Sequence, residues 1–249
     1  MKVRQARVPR LYVEAELSPQ AALALPEDAA HHAARVLRLR EGDAVLLFDG
    51  RGGEYEAILS MPGRGQVLAA IGSRRDVVRE SPLSVTLVQA VSSGEKMDFT
   101  IQKAVELGVV AIQPILTEKS VVRLSPEREA KKAAHWKRVA IAACEQCGRD
   151  RVPVVRNAMP VDTYCRAPDE ASLRLLLSPR GETGLRELGQ RIGSSVTVAA
   201  GPEAGFSDAE ERLLVRAGFV PVRLGRRILR TETAALAALA ALNALAGDF

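Results

Sequence analysis

Charged and hydroxyl side chains crowd into residues 226–233, immediately before a stretch of alanine and leucine. In that stretch Leu236, Leu239, Leu242 and Leu245 recur at helical spacing, which predicts a buried helix. A buried helix needs one capping residue at its start. This helix is instead preceded by three arginines and begins with a glutamate between two threonines, which predicts that its start binds a ligand. The residues are Arg226, Arg227, Arg230, Thr231, Glu232 and Thr233.

Two further turns carry glycine or proline after apolar, strand-like runs, at Ser178-Pro179-Arg180-Gly181 and at residues 201–206. Ligands of open α/β sheets bind beyond the carboxyl ends of the strands, and glycine there permits close backbone approach. Any one such turn is better explained as a corner of the chain. Taken with Glu203, Arg230 and Glu232, the three turns favour a site. Phosphate-binding glycine motifs are absent, which favours an adenine-bearing cofactor without phosphates.

A second polar group, "CEQCGRDR", closes a long predicted helix and includes Glu145, Gln146, Arg149 and Arg151. Its spacing alone favours an ordinary helix end, with Gly148 as the terminating residue and arginines near the negative end of the dipole. The chain has three cysteines and no second ligand pair. The Cys144–Cys147 spacing therefore predicts neither a disulfide framework nor a zinc site, and we expect no metal.

Basic residues cluster at the start of the chain, whose net charge is +5 with a pI of about 9.4. These runs fit either a nucleic-acid surface or a solvated face. No apolar run is long enough for a membrane span, and the N-terminal residues lack a signal-peptide pattern. We therefore expect a cytoplasmic protein without membrane contact. The basic runs comprise Lys2, Arg4, Arg7 and Arg10, then His31, His32, Arg35, Arg38 and Arg40.

The pattern of strands and helices divides the chain into two predicted domains. Residues 1–72 alternate like short strands around one helix, with a hairpin signal at residues 49–53. Residues 73–82 are polar, end in proline and predict a linker. Residues 83–249 alternate apolar strands with helices, which predicts an α/β domain with a parallel sheet.

The motifs "GPEAGFSDAE", "LGRRILRTETA" and "ACEQCGR" together resemble the RsmE family of SPOUT-class methyltransferases, and the resemblance runs nearly end to end. It implies methylation of a uridine at ring nitrogen 3 in 16S ribosomal RNA, with S-adenosylmethionine as cofactor. It also implies a PUA-like β-barrel RNA-binding domain at the N-terminus, a C-terminal trefoil knot and a homodimer. The family has glycine at the fourth position of Gly-Pro-Glu-Gly-Gly, where this chain has Ala204.

The resemblance implies a cofactor pocket built from the three turns. Its expected residues are Ser178, Pro179, Gly201, Pro202, Glu203, Ala204, Gly205, Leu224, Gly225, Ile228, Leu229, Arg230 and Thr233.

For catalysis we expect Arg149 and Arg230 to stabilise the uracil anion, with Glu145 or Glu232 as the base or as the group that orients those arginines. The RNA, free or in the assembled small subunit, is expected to contact Arg4, Arg7, Arg10, His31, Arg35 and Arg38. Two alternatives stay open at this point: a non-catalytic RNA-binding protein of ribosome assembly with the same fold, and a SPOUT methyltransferase that acts on the ribose 2′-hydroxyl.

Overall fold

The computed structural model describes residues 8–63, 65–120, 126–167 and 171–249. These residues form two compact units. The first contains the described residues up to Glu80 together with Cys144–Val152, and the second contains Ser81–Ala143 and Pro153–Phe249. Residues 144–152 therefore group with the N-terminal part of the chain, although the sequence pattern places them in the second domain.

A five-stranded sheet forms the first unit, in the order β1-β3-β4-β5-β2. The predicted hairpin at residues 49–53 joins β3 and β4, and Gly50, Gly52 and Gly53 all have positive φ. Along β4 Tyr55, Ala57 and Leu59 are buried, as the two-residue period of a strand requires. The strands are β1 (Arg10–Tyr12), β2 (Ala22–Ala24), β3 (Ala44–Phe48), β4 (Glu54–Gly63) and β5 (Gln66–Arg75).

The single predicted helix of this unit is short and changes type. Helix α1 (Glu27–His31) continues as one π-helical turn (His32–Val36), in which the Leu37 amide donates to the His32 carbonyl at 2.9 Å. Arg38 follows in the left-handed region, with φ of 55°. Non-glycine residues seldom adopt this conformation, and π-turns are frequent at functional sites.

A buried ion network holds the end of residues 144–152 against this sheet. Glu54 is fully buried and forms ion pairs with Arg10 and, at 3.1 Å, with Arg79. Each arginine donates a second hydrogen bond to a backbone carbonyl, Arg79 to Gly148 at 2.8 Å and Arg10 to Arg149 at 2.9 Å. A single carboxylate thus orients two guanidinium groups, and these fasten residues 148 and 149 to the unit.

The second unit is an α/β domain around a parallel sheet in the order β11-β13-β10-β12-β6-β7-β8, with β9 beside β7. Strands β10 and β12 lie in the middle and are buried along most of their length, as in a sheet covered on both faces. The strands are β6 (Ser84–Ala90), β7 (Ala111–Leu116), β8 (Val154–Val155), β9 (Met159–Pro160), β10 (Leu173–Leu177), β11 (Thr183–Gly184), β12 (Ser195–Ala200) and β13 (Val220–Arg223).

Among the described residues, four α-helices connect these strands and a fifth, α6, follows the last strand. Ser207 and Glu210 form a capping box at the start of α5, as their spacing of three residues before an apolar run predicts. The pattern of residues 183–192 predicts a further helix, and the structure has a 3₁₀ helix there (Leu185–Arg191). The α-helices are α2 (Gly94–Glu106), α3 (Pro126–Cys147), α4 (Val161–Arg166), α5 (Asp208–Arg216) and α6 (Thr231–Ala246).

Helix α6 is the predicted alanine–leucine helix, but only part of its leucine stripe is buried. Leu239 and Leu242 are fully enclosed, whereas Leu236 is partly exposed and Leu245 is 44% exposed. The remaining buried positions of the helix are filled by small or polar residues, including Ala235, Ala238 and Asn243. The Asn243 amide group donates to the carbonyls of Leu107 and Leu239, which satisfies it within the core.

We expect Glu54→Gln to destabilise the first unit by about 3–5 kcal/mol, because it leaves the buried guanidinium group of Arg10 without its carboxylate. Hydrogen exchange of the β3 and β4 amides measures this loss. Glu56→Gln, two residues along the same strand and exposed, is the control and should change stability by less than about 0.5 kcal/mol. Equal protection in the two variants would contradict the role assigned to Glu54.

Candidate functional site

A cavity of about 440 Å³ lies at the carboxyl ends of β10, β12 and β13. These strands are neighbours in the sheet, so the turns that follow them converge on one place. The first turn of α6 completes the wall through Thr231 and Ala234. The volume falls within the range of about 300–1,000 Å³ that is typical of small-molecule pockets.

The structure brings most of the predicted cofactor residues to this cavity. Eleven of the thirteen line it, namely Ser178, Pro179, Gly201, Pro202, Glu203, Ala204, Gly205, Leu224, Gly225, Ile228 and Leu229. Arg230 and Thr233 do not, which corrects their predicted place in the wall. In a helix, residues three apart share a face, so Thr231 and Ala234 face the cavity and Thr233, which is exposed, faces elsewhere.

Glycine is required at specific points of these turns. A Cβ on Gly201 would come within 3.0 Å of the Phe206 ring. Gly205 and Gly225 have φ of 70° and 77°, which other residues adopt only with strain. Ala204 is not among the described residues of positive φ, so alanine is accommodated at this position without backbone strain.

The Thr231 hydroxyl joins three parts of the pocket. Gln89, fully buried at the end of β6, donates from Nε2 to Thr231 Oγ1 at 3.0 Å. Thr231 Oγ1 in turn donates to the Gly201 carbonyl at 2.5 Å. The start of α6 is thus tied directly to the turn after β12. The sequence does not reveal Gln89, because it sits inside an apolar strand and gives no motif.

Glu203 is tied to the start of α2. Its Oε1 accepts hydrogen bonds from Lys96 Nζ at 3.1 Å and from the Ser93 amide at 3.5 Å. Burial alone would raise the pKa of Glu203, but these bonds and one from its own backbone amide outweigh burial and lower it. The Gly201–Gly205 turn is therefore held by a carboxylate that stays ionised.

The turn after β10 is held by a similar arrangement in which every charge is paired. The Ser178 hydroxyl donates to Glu211 at 3.1 Å, and Arg180 pairs with Glu211 at 2.8 Å and with Asp208 at 2.6 Å. The hydrogen bond from Arg180 lowers the pKa of Asp208 and raises that of Arg180 itself. Arg180 is therefore neutralised by its own unit.

Comparison with known proteins accounts for both units. The profile of an RNA methyltransferase domain matches residues 79–243, and that of an RNA methyltransferase PUA domain matches residues 25–72. Ribosomal RNA small subunit methyltransferase E of Buchnera aphidicola is 33% identical to this chain. The match covers 97% of this chain and 98% of the length of that protein. The chain belongs to this methyltransferase family. The Synechocystis relative is 34% identical and covers 95% of this chain and 77% of its own.

Solved structures of related methyltransferases share the fold. A methyltransferase from Legionella pneumophila, in complex with S-adenosylmethionine, is 40% identical with a TM-score of 0.92 and covers 98% of this chain and 100% of its own. The small subunit methyltransferase E of Neisseria gonorrhoeae, bound to the same cofactor, is also 40% identical, with a TM-score of 0.89 and the same coverage.

Two of the predicted catalytic residues of this methyltransferase belong to the second unit, beside the pocket. Arg230 is exposed at the start of α6. Glu232 is partly buried, and its Oε2 is enclosed without a hydrogen bond among the described residues. A carboxylate oxygen in this state retains its full capacity to accept a proton or a hydrogen bond.

The other two predicted catalytic residues, Glu145 and Arg149, belong to the first unit. Arg149 is buried and pairs through two nitrogens with Glu80, at 3.1 and 2.5 Å, which corrects its predicted role as a stabiliser of the uracil anion. Glu145 accepts a hydrogen bond from the Tyr12 amide at 2.9 Å, and burial raises its pKa.

The segment that holds Glu145 and Arg149 ends α3 as its spacing predicts. Gly148 has φ of 98°, and its amide donates to the Cys144 carbonyl at 3.0 Å. Burial raises the pKa of Cys144 to about 12, so this thiol stays protonated. The ordinary helix end, which the sequence favoured, is confirmed.

Three of the predicted RNA contacts are exposed in the first unit, namely His31, Arg35 and Arg38. Arg10 is buried, pairs with Glu54 and lies over the Phe48 ring at 4.8 Å, so its predicted contact with RNA is corrected. Arg4 and Arg7 lie outside the described residues. No helix in the described ranges is long and apolar enough to cross a membrane.

Because the pKa of Glu203 is lowered below its ordinary value of 4.5, the tie to α2 contributes stability above pH 4.5 and is lost as the pH falls through the lowered pKa. We expect Lys96→Met to raise the pKa of Glu203, measured by carbon-13 NMR titration of its carboxyl group. Lys103→Met, which removes a lysine paired instead with Glu106, is the control. An unchanged pKa of Glu203 in Lys96→Met would contradict this account.

Proposed function

We propose that the protein transfers a methyl group from S-adenosylmethionine to ring nitrogen 3 of a uridine in 16S ribosomal RNA of the small ribosomal subunit. The observation that carries this proposal is the cavity formed by three adjoining turns at the carboxyl ends of β10, β12 and β13. Membership of the methyltransferase family and the cofactor-bound structures of its relatives support it.

The residues of the cavity fit this cofactor. Leu177, Val222 and Leu224 offer apolar walls for an adenine ring, and the backbone of residues 201–205 offers amides and carbonyls. Glu203 and Glu211 also lie in the wall, where Lys96 and Arg180 pair with them. S-adenosylmethionine supplies a methyl group that its sulfonium sulfur makes electrophilic.

The chain's own residues must remove one proton and hold one negative charge. Uridine carries a proton on N3, and this nitrogen becomes a good nucleophile only when the proton leaves. We assign removal of this proton to Glu232, whose Oε2 has no hydrogen-bond partner among the described residues. Arg230, exposed two residues before Glu232, stabilises the charge that develops on the uracil carbonyl oxygens. Glu145 is the second candidate base.

The knot and the homodimer implied by the resemblance belong to this proposal. Strand β12 precedes β13 in the sequence, but β13 pairs with β10 instead. The chain therefore passes across β10 between β12 and β13. This crossing supports the trefoil knot, an exception to the unknotted rule. The partly exposed Leu236 and Leu245 of α6 support a helix covered by a second copy.

RNA recognition is assigned to the first unit, whose profile is that of a methyltransferase PUA domain. His31 and Arg35 lie on α1 and its π-helical continuation, Arg38 follows two residues after that turn, and all three are exposed. Phosphate groups of the RNA are the natural partners of these arginines.

Calorimetric titration with S-adenosylmethionine tests the pocket. We expect saturable binding to the parent protein and its loss in Gly225→Trp, because the indole fills the turn after β13. Gly42→Trp is the matched control, since Gly42 also has positive φ with open space around it but lies in the first unit. Loss of binding in both variants would show general misfolding, and no binding to the parent would favour a non-catalytic RNA-binding protein.

Mass spectrometry of nucleosides from treated small subunits tests the product. We expect N3-methyluridine, whereas a 2′-O-methylated nucleoside would favour the ribose-modifying alternative.

We expect Glu232→Gln to lower kcat by about 10²–10⁴-fold without loss of cofactor affinity, as for removal of a general base. If Glu145→Gln alone has this effect, the base is Glu145.

A further inference from the structure

The turn after β13 carries positive charge that its own unit does not neutralise. Arg223, Arg226 and Arg227 are exposed and line the mouth of the pocket. Among the described residues, no salt bridge or side-chain hydrogen bond pairs these three guanidinium groups with an acid. We call these three residues, with Ile228, the arginine rim.

Exposed arginines elsewhere, such as Arg212 and Arg216, also lack an acidic partner among the described residues, so what distinguishes the rim is the clustering of three such arginines on the wall of the pocket. Arg180, on the neighbouring turn of the same pocket, pairs with Asp208 and Glu211. Arg79 and Arg149 pair with Glu54 and Glu80. Because like charges at close spacing repel one another, three unpaired arginines within five residues weaken the folded state unless they meet an anion.

The proposed cofactor does not explain this charge. S-adenosylmethionine has a sulfonium and an ammonium group against one carboxylate, so its net charge is positive and its single carboxylate cannot neutralise three arginines. The anion that meets the rim is therefore a different molecule from the cofactor.

Ile228 adds an apolar element to the same surface. Its side chain is 85% exposed and directly follows the two adjacent arginines. Proteins that open nucleic acids insert such branched apolar side chains beside unstacked bases while arginines hold the neighbouring phosphates. An isolated phosphate or nucleotide would engage the arginines but would leave Ile228 exposed.

We propose that the arginine rim binds the phosphate backbone of the substrate RNA on either side of the target nucleotide, with Ile228 packed against a base. This inference rests on the proposed function and deepens it, since it gives the second unit its own RNA surface beside the pocket. The target base then enters the pocket by rotating out of a strand whose phosphates are already held.

Salt dependence of RNA binding tests the rim. The affinity of a fluorescein-labelled single-stranded RNA is measured by anisotropy across a salt series, for the parent and for Arg226→Gln/Arg227→Gln. Each lost phosphate contact lowers the slope of log K against log salt by about 0.7 for single strands, so we expect a decrease of about 1.4. The calorimetric affinity for S-adenosylmethionine should not weaken, since the lost side chains carry the same sign of charge as the cofactor.

A matched double variant controls for loss of charge. Arg212→Gln/Arg216→Gln removes two exposed arginines of α5 in the same unit and should leave the slope unchanged. Equal slopes in parent and rim variant, equal decreases in both double variants, or loss of cofactor affinity in the rim variant would each overturn the proposal. One result would separate the two proposals. If the parent binds no S-adenosylmethionine, but its salt slope for RNA binding decreases only in the rim variant, the proposed function is wrong and the RNA-binding surface is supported.

Ile228→Ala separates the apolar contact from the charges. It should leave the salt slope unchanged and weaken RNA binding at fixed salt, because each buried methylene contributes up to about fourfold in affinity. Val215→Ala, an exposed apolar residue of α5, is the control. Equal RNA affinity in Ile228→Ala and the parent would overturn the role of Ile228 in the proposal.

Discussion

The hydroxyl group of Thr231 is the constraint on which the candidate site depends. It accepts from Gln89 at the end of β6 and donates to the Gly201 carbonyl after β12. Gln89 is fully buried and Thr231 nearly so, where an unpaired polar group costs about 1–3 kcal/mol. The first residue of α6 therefore has one favourable position, and this position sets where the turn after β13 must end.

Paired charges hold two of the three turns of the pocket, and among the described residues the turn after β13 lacks them. On one side Glu203 is ionised and fixed by Lys96 and the start of α2, and on the other Arg180 is shared between two carboxylates. Both arrangements hold the backbone of a turn in place and leave little net charge behind. The turn after β13 has no such pairing, so its conformation rests on Gly225 and on the anchored start of α6.

The sequence predicts the α/β class, the capping box of α5, the end of α3 at Gly148 and the three turns, because each leaves a short local signal. It fails for Arg10 and Arg149, whose types and spacing suggest function while their partners Glu54 and Glu80 lie 44 and 69 residues away. It also misses Gln89 and Lys96, which act through tertiary contacts. Thr231 differs from these two residues, because the sequence does contain a signal for it. The helical period places Thr231 and Thr233 on opposite faces of α6, so only one of them can face the cavity.

The arginines paired with Glu54 show why residue type is a weak guide to function in a basic protein. Arg10 donates from one nitrogen to the Glu54 carboxylate and from another to the Arg149 carbonyl, whereas Nη1 of Arg79 contacts both Glu54 and the Gly148 carbonyl. The planar guanidinium group presents several N–H donors in a fixed arrangement, which suits it to bridge a carboxylate and a carbonyl. An arginine is a candidate for RNA binding only when its own fold supplies no carboxylate. That criterion retains Arg35, Arg38 and the arginine rim, and it removes Arg10 and Arg149.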